Sequence, residues 1–137
     1  MAVHRQPAPL ELAFPAEIGQ LGPVRARLRQ WLESFAPGTR TAQDSLVAAG
    51  EAVANAIEHG HRAAPGEIRL QASTAGNRLW LIVADSGSWL PPQPEPALYR
   101  GKGIMLMRAM MDNVSIDAGP TGTTVTMYVK IRRDRSG

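Results

Sequence analysis

The stretch EAVANAIEHGHR, residues 51–62, separates its apolar and polar side chains onto different sides of a predicted helix. Residues three and four positions apart share a helix face. By that spacing, the side turned to the core carries small and apolar residues, namely Ala52, Val53, Ala56 and Ile57. The polar side carries Glu51, Asn55, Glu58 and His59. Any polar mixture would serve a wet helix face, but a Glu and an Asn one turn apart can also hold a metal ion and activate a hydroxyl.

The composition indicates a single domain over residues 1–137. Hydrophobic residues make up 44% of the chain, which is enough for a packed core. The absence of cysteine excludes disulfides and cysteine zinc sites and is typical of a reducing cytosol. The sequence has neither an apolar signal segment nor a run approaching the ~20 apolar residues of a membrane span. We therefore expect a soluble cytoplasmic domain that does not bind membranes.

The basic character of the chain leaves its partner class open. The net charge is +3 and most basic residues are arginines, three of them at 25, 27 and 29 and three at 132, 133 and 135. A nucleic-acid surface is conceivable on this ground. However, aromatic residues are only 5% of the chain and no recognition motif accompanies the arginines. The pattern favours a solvated face or an acidic protein partner over direct nucleic-acid binding.

Periodicity predicts five strands and three helices. The strands are expected at residues 10–14, 67–73 and 78–85 and as two strands within 113–131. The helices are expected from about Pro23 to just before Pro37, from Thr41 to Gly60, and from about Ile104 to Asp112. Asp44 would close a capping box with Thr41. Residues 86–103 are dense in Pro and Gly and are expected to be irregular.

The order of these elements, β-α-α-β-β-loop-α-β-β, predicts the α/β fold class. Because strands arrive as hairpins with the helices grouped between them, we expect a two-layer sandwich. In it, a mixed or antiparallel sheet is covered by helices on one face only.

Two further stretches could carry chemistry, VADSGS at 83–88 and YRGKGIMLM at 99–107. Asp85 ends a predicted strand and could accept a hydrogen bond from an exocyclic amine, although alone it is more typical of a turn. Gly101 and Gly103 flank Lys102 just before a predicted helix, where free N–H groups and a partial positive charge suit phosphate. This loop is neither a Walker loop nor a dinucleotide fingerprint.

Together, the three stretches resemble the Bergerat-type ATPases, the superfamily that includes the ATP-binding domains of histidine kinases and gyrase. The resemblance rests on Glu-x-x-x-Asn in a helix, Asp-x-Gly at a strand end and Gly-x-Gly before a helix, followed by GTTVT at 122–126. It covers roughly residues 10 to 131. The short chain and the phrase GKGIMLMRAMMDNVSI are similar to the anti-sigma-factor serine/threonine kinases of bacterial partner-switching systems.

The resemblance implies an ATP-dependent kinase that phosphorylates a Ser or Thr of a small antagonist protein and also sequesters a sigma factor. It implies that Glu51 is the general base and that Asn55 is a ligand of Mg2+ on the ATP phosphates. The other implied ATP contacts are Asp85, Gly87 and Thr124 around the adenine and Arg100, Gly101, Lys102 and Gly103 around the phosphates. Arg100 could instead contact the partner. Family members commonly form dimers, which leaves a homodimer open.

Two departures from the family pattern concern the loop after Asp85. Trp89 stands where a second glycine is usual, and the loop is short and carries four prolines, at 91, 92, 94 and 96. Both features affect how this loop closes over a bound nucleotide and how tightly the nucleotide binds. His59 could be either a structural histidine or a phosphate neighbour.

Two other functions stay open from the sequence. One is a non-catalytic module that binds nucleotide or only a protein partner. The pairing of Glu51 with Asn55 favours an enzyme over this module. The other is a nucleic-acid-binding domain, which rests on charge alone and would bind with steep salt dependence and indifference to ATP.

Overall fold

The computed structural model describes residues 6–60, 66–85, 97–119 and 122–134, with the side chains of residues 59, 60 and 97–102 left out of that description. A short 3-10 turn at Ile18–Gln20 precedes the first helix. The elements follow the predicted order: β1 (Leu10–Pro15), α1 (Leu21–Phe35), α2 (Thr39–Gly60), β2 (Glu67–Ala75), β3 (Arg78–Asp85), α3 (Ala97–Met110), β4 (Asn113–Gly119) and β5 (Gly122–Lys130).

The five strands form one sheet in the order β1-β2-β3-β5-β4, and every neighbouring pair is antiparallel. A two-residue turn joins β2 to β3, and its Gly76 takes a φ of +60°, a conformation that glycine adopts without steric cost. The α/β prediction of an antiparallel sheet is therefore confirmed.

All three helices lie against one face of this sheet. The strand residues on that face alternate with less buried ones and are themselves buried: Ile68, Leu70, Ala72, Leu79, Leu81, Val83, Val125, Met127 and Val129. On the opposite face, the rings of Trp80 and Tyr128 lie 4.9 Å apart, with the Arg78 guanidinium 4.4 Å from the Tyr128 ring centre. The predicted two-layer sandwich, covered by helices on one face, is confirmed.

Helix α1 packs through a stripe of apolar residues at helical spacing. Val24, Leu28, Trp31 and Leu32 are buried, and burying each such side chain contributes about 1.5 to 3 kcal/mol. The Trp31 indole N–H also donates to the carbonyl oxygen of Ala8 at 2.7 Å. The arginines of this helix lie off the stripe and are exposed, as expected.

Helix α2 begins at Thr39, so the predicted start at Thr41 with a capping box is wrong. The Thr41 hydroxyl is buried and accepts a hydrogen bond from the backbone N–H of Arg132 at 2.9 Å. The Asp44 carboxylate lies 3.7 Å from Nε of Arg40 instead of capping the helix. Thr41 therefore makes a long-range hydrogen bond with Arg132 instead of a local cap with Asp44.

Helix α3 begins at Ala97, so the prediction of an irregular segment up to residue 103 is wrong for its last seven positions. The run ALYR contains good helix formers and no proline, which outweighs the cost of Gly101 and Gly103, about 1 kcal/mol each relative to Ala. Met107 and Met111 are buried in the core, where the flexible methionine side chain fills space between α3 and the sheet.

Among the described residues, the structure contains no helix with the length and apolar character needed to span a membrane.

Candidate active site

The polar face predicted for residues 51–62 approaches α3 at Gly103. Glu51 and Asn55 lie one turn apart on α2, both half-buried, and Gly103 of α3 is buried against them. A Cβ atom on Gly103 would lie 3.2 Å from Nδ2 and 3.4 Å from Oδ1 of Asn55, and 3.3 Å from Oε2 of Glu51. The carboxylate and the amide therefore converge on residue 103, and a Cβ there would require both side chains to shift by a few tenths of an ångström.

Asn55 also faces a cavity between α2 and the sheet, which we call the α2–β3 cavity. It has a volume of about 70 Å³. Three polar residues, Asn55, Asp85 and Thr123, contribute to its wall. The remaining lining is apolar and consists of Ala52, Ala56, Val83, Ile104, Met107, Ile116 and Val125. An apolar pocket with a few convergent polar groups is typical of a site for a small molecule or cofactor.

Asp85, at the end of β3, is fixed in this cavity wall by its neighbours on β5. The backbone N–H of Thr123 donates to Asp85 Oδ1 at 3.3 Å. Gly122 takes a φ of +141°, and a Cβ on it would lie 2.0 Å from the Asp85 carbonyl oxygen. Any side chain at residue 122 would push β5 away from Asp85, so glycine is required there.

The structure does not bring Thr124 to the cavity, and the sequence-based choice of this threonine is corrected to Thr123. In the β3–β5 register, Thr124 pairs with Ala84 and Thr123 pairs with Asp85. Successive strand residues point to opposite faces, so Thr124 lies on the face away from the helices. Apolar residues alternate along β5 at 125, 127 and 129, and all three are buried. Extended back along the strand, this alternation places residue 123 on the same face.

The predicted cradle of free N–H groups at Gly101–Gly103 is also corrected. Only the first four N–H groups of a helix lack an intrahelical partner. Because α3 begins at Ala97, these are the groups of residues 97–100, and Gly101–Gly103 lie one turn further in. Gly103 instead serves the close approach to Glu51 and Asn55.

The remaining predicted site residues are placed only in part. Arg100 and Lys102 are helical positions of α3 whose side chains lie outside the description, as does that of His59 on α2. Gly87 lies outside the described residues. Glu58 is exposed, near the end of α2.

Comparison with known proteins supports the ATPase motifs. The histidine kinase-like ATPase domain family matches residues 14–129. Serine-protein kinase RsbW of Bacillus licheniformis is 28% identical over 141 residues, which cover 92% of this chain and 88% of that protein. An anti-sigma F factor of Clostridium kluyveri is 30% identical over 118 residues, which cover 79% of this chain and 83% of that protein.

A solved structure extends the likeness to three dimensions. The crystal structure of the RsbU and RsbW domains of a Mycobacterium tuberculosis protein superposes with a TM-score of 0.76 at 28% identity. It covers 92% of this chain, which spans only 32% of that longer chain. The predicted likeness to anti-sigma-factor serine kinases is confirmed by these relatives. With the family match running from residue 14 to residue 129, the chain belongs to the histidine kinase-like ATPase domain family.

Proposed function

We propose that this chain is an ATP-dependent protein serine/threonine kinase of a partner-switching circuit, which phosphorylates a small antagonist protein and sequesters a sigma factor. The observation that carries the proposal is the convergence of Glu51 and Asn55 at Gly103, beside a cavity that ends at Asp85. The relatives named serine-protein kinase and anti-sigma F factor support the reaction and the partner class.

The α2–β3 cavity suits the adenine ring of ATP. Its apolar walls would bury the faces of the ring, while the Asp85 carboxylate would accept a hydrogen bond from the exocyclic amine. The Thr123 N–H holds Oδ1 of that carboxylate, which orients the group before a ligand enters. A hydrogen bond to a charged group stabilises a complex by about 1.5 to 3 kcal/mol.

Asn55 is the residue that would hold Mg2+. It belongs both to the cavity wall and to the pair with Glu51, so its amide oxygen is available both to the nucleotide site and to the proposed base. Within the described residues, no group of three or more His, Cys, Asp or Glu side chains could hold a metal. A single protein oxygen is in keeping with Mg2+, which usually keeps several waters and binds substrate phosphates.

Glu51 would act as the general base. ATP, when bound, supplies the γ-phosphoryl group and leaves as ADP, and Mg2+ offsets the negative charge of the phosphates. Glu51, one turn from Asn55, would accept at Oε2 the proton of the attacking Ser or Thr hydroxyl. Gly103 keeps side-chain atoms out of the space that both groups face.

The test is phosphotransfer with a base-deficient variant. Wild type and Glu51→Ala are incubated with radiolabelled ATP and with each small antagonist-type protein of the same genome, purified singly. Glu33→Ala, an exposed glutamate of α1, is the matched control. We expect label on an antagonist serine or threonine with wild type and control, and retained ATP binding without transfer in Glu51→Ala.

Two results would contradict the proposal. Transfer by Glu51→Ala at the wild-type rate would remove Glu51 from its role. ATP binding by the wild type with no transfer to any antagonist would instead favour a non-catalytic binding module.

A further inference from the structure

Residues 131–134, which we call the tail segment, run from the end of β5 across the N-terminus of α2. The Ile131 N–H donates to the carbonyl oxygen of Asn77 at 2.6 Å, in the β2–β3 turn. The Arg132 N–H donates to Thr41 Oγ1 at 2.9 Å, and the Thr41 side chain is buried beneath this contact. The tail segment is thus attached to both layers of the fold.

The last described residue of the tail segment caps α2. Asp134 Oδ1 accepts a hydrogen bond from the Thr39 N–H at 2.9 Å, and Oδ2 accepts one from the Thr39 hydroxyl at 2.7 Å. Thr39 is the first residue of the helix, where N–H groups lack intrahelical partners and a negative charge is favourable. An N-cap normally comes from the residue just before the helix. Here it comes from 95 positions along the chain.

The residue that would normally provide the cap is a glycine. The Gly38 carbonyl accepts the first helical hydrogen bond, from the Ala42 N–H at 3.0 Å, so Gly38 occupies the N-cap position. Its φ is +110°, and a Cβ on it would lie 2.0 Å from the Arg132 carbonyl oxygen. The passage of the tail segment therefore excludes a side chain at residue 38, and the same segment supplies the missing carboxylate.

The tail segment also forms one wall of a groove between α1 and α2. This groove has a volume of about 660 Å³, and Arg133 and Asp134 lie along its edge. Its floor includes Leu32, Ala42 and Leu46. Removing the tail segment would uncap α2 and widen this groove in one event.

We infer that the tail segment sets the local stability of the first turn of α2, the helix that carries Glu51 and Asn55, through the cap that Asp134 provides. Without this cap the first turn of α2 loosens, while the α2–β3 cavity keeps its walls. The reason is distance: Asn55 lies 16 residues beyond Thr39 on the helix, which is about 24 Å at 1.5 Å per residue. The inference does not depend on phosphotransfer.

The test compares Asp134→Ala with Asp117→Ala in the full chain. Asp117 is an exposed aspartate of β4 and controls for the loss of one carboxylate. We expect Asp134→Ala to lower the midpoint of thermal unfolding by roughly 2 to 6 °C, the usual effect of losing a cap. Hydrogen exchange should rise at the amides of residues 39–42 and stay unchanged at residues 50–56. Asp117→Ala should show neither change.

A double-mutant cycle identifies the partner of Asp134. Thr39→Val removes only the hydroxyl, and its effect should be less than additive with that of Asp134→Ala if the two residues act through each other. Thr39→Ser, which keeps the hydroxyl, should behave as wild type. Exchange at residues 39–42 that equals wild type in Asp134→Ala, or that rises equally along all of α2, would overturn the inference. So would full additivity in the cycle.

Discussion

The backbone N–H of Thr123 donates a hydrogen bond to Oδ1 of Asp85 across 3.3 Å, joining the last residue of β3 to the second residue of β5. This hydrogen bond holds the Asp85 carboxylate, at the end of β3, in the wall of the α2–β3 cavity. Gly122 makes the approach possible, since a Cβ there would overlap the Asp85 carbonyl oxygen. Asp85 of β3 and Thr123 of β5 thus form one polar part of the cavity wall together.

Replacing Asp85 should weaken ATP binding selectively. Asp85→Asn keeps the shape of the side chain but removes the charged acceptor, so we expect ATP affinity to fall by about 10- to 100-fold. Calorimetric titration of ATP measures this, with Asp117→Asn as the control. ATP affinity in Asp85→Asn equal to that of wild type would show that the carboxylate does not contact the adenine.

The two adjacent threonines of β5 should differ in their effect on ATP. Thr123→Val removes a hydroxyl from the cavity wall and should lower ATP affinity several-fold, because an unpaired polar edge of the ligand costs about 1 to 3 kcal/mol. Thr124→Val changes the opposite sheet face and should leave ATP affinity unchanged. The same titration compares both variants, and a larger loss in Thr124→Val would contradict the register assigned to the site.

Adding a methyl group at residue 103 should affect ATP binding and phosphotransfer differently from thermal stability. Gly103→Ala gains helix propensity of about 1 kcal/mol. It also places a Cβ within 3.2 to 3.4 Å of Glu51 and Asn55 atoms, which must move apart. We expect ATP affinity and phosphotransfer to fall without a matching loss of thermal stability. Gly22→Ala, at an open position of α1, is the control that should leave ATP binding intact. Normal ATP affinity and transfer in Gly103→Ala would argue against the convergence of the two helices in the working site.

Because of Asp134 in the tail segment, the free energy of unfolding should depend on pH in the acid range. The Thr39 hydroxyl and then its N–H hold the pKa of Asp134 below the ordinary value of 3.8. A depressed pKa in the folded state gives stability that is present above the unfolded value and is lost as pH falls through the folded value.

The comparison of wild type with Asp134→Ala isolates this effect. Glu33, Arg29 and Arg133 lie on the same groove and Arg40 follows Thr39 along α2, and all four are common to both proteins. The stability difference, from urea unfolding at each pH, should be constant above about pH 5 and shrink below pH 3.8. A difference that grows on acidification would contradict the cap.

Local patterns were sufficient to predict much of this molecule. The helix spacing of residues 51–62 identified the buried face and the Glu51–Asn55 pair, because a helix face depends only on neighbours a turn away. Alternation placed β3 and its terminal Asp85 correctly for the same reason. The two-layer arrangement, with helices on one face of the sheet, followed from the grouping of strands and helices, whereas the strand order within the sheet came from the structure.

The errors have different causes. The start of α2 was missed because its cap, Asp134, comes from a distant part of the chain, which no local pattern encodes. Thr123 was missed because the alternation of apolar residues at 125, 127 and 129 was not extended back to residue 123. The early start of α3 was missed because Gly103 was interpreted as a loop residue, whereas its lack of a side chain serves helix packing.

The most direct test of the central claim is calorimetric titration of ATP into wild type and Asn55→Ala, each with and without Mg2+. If Asn55 holds the cation on the nucleotide, Mg2+ should strengthen ATP binding by wild type, and Asn55→Ala should lose that increment while keeping its Mg2+-free affinity. Equal ATP affinity with and without Mg2+ in wild type would contradict the assigned site.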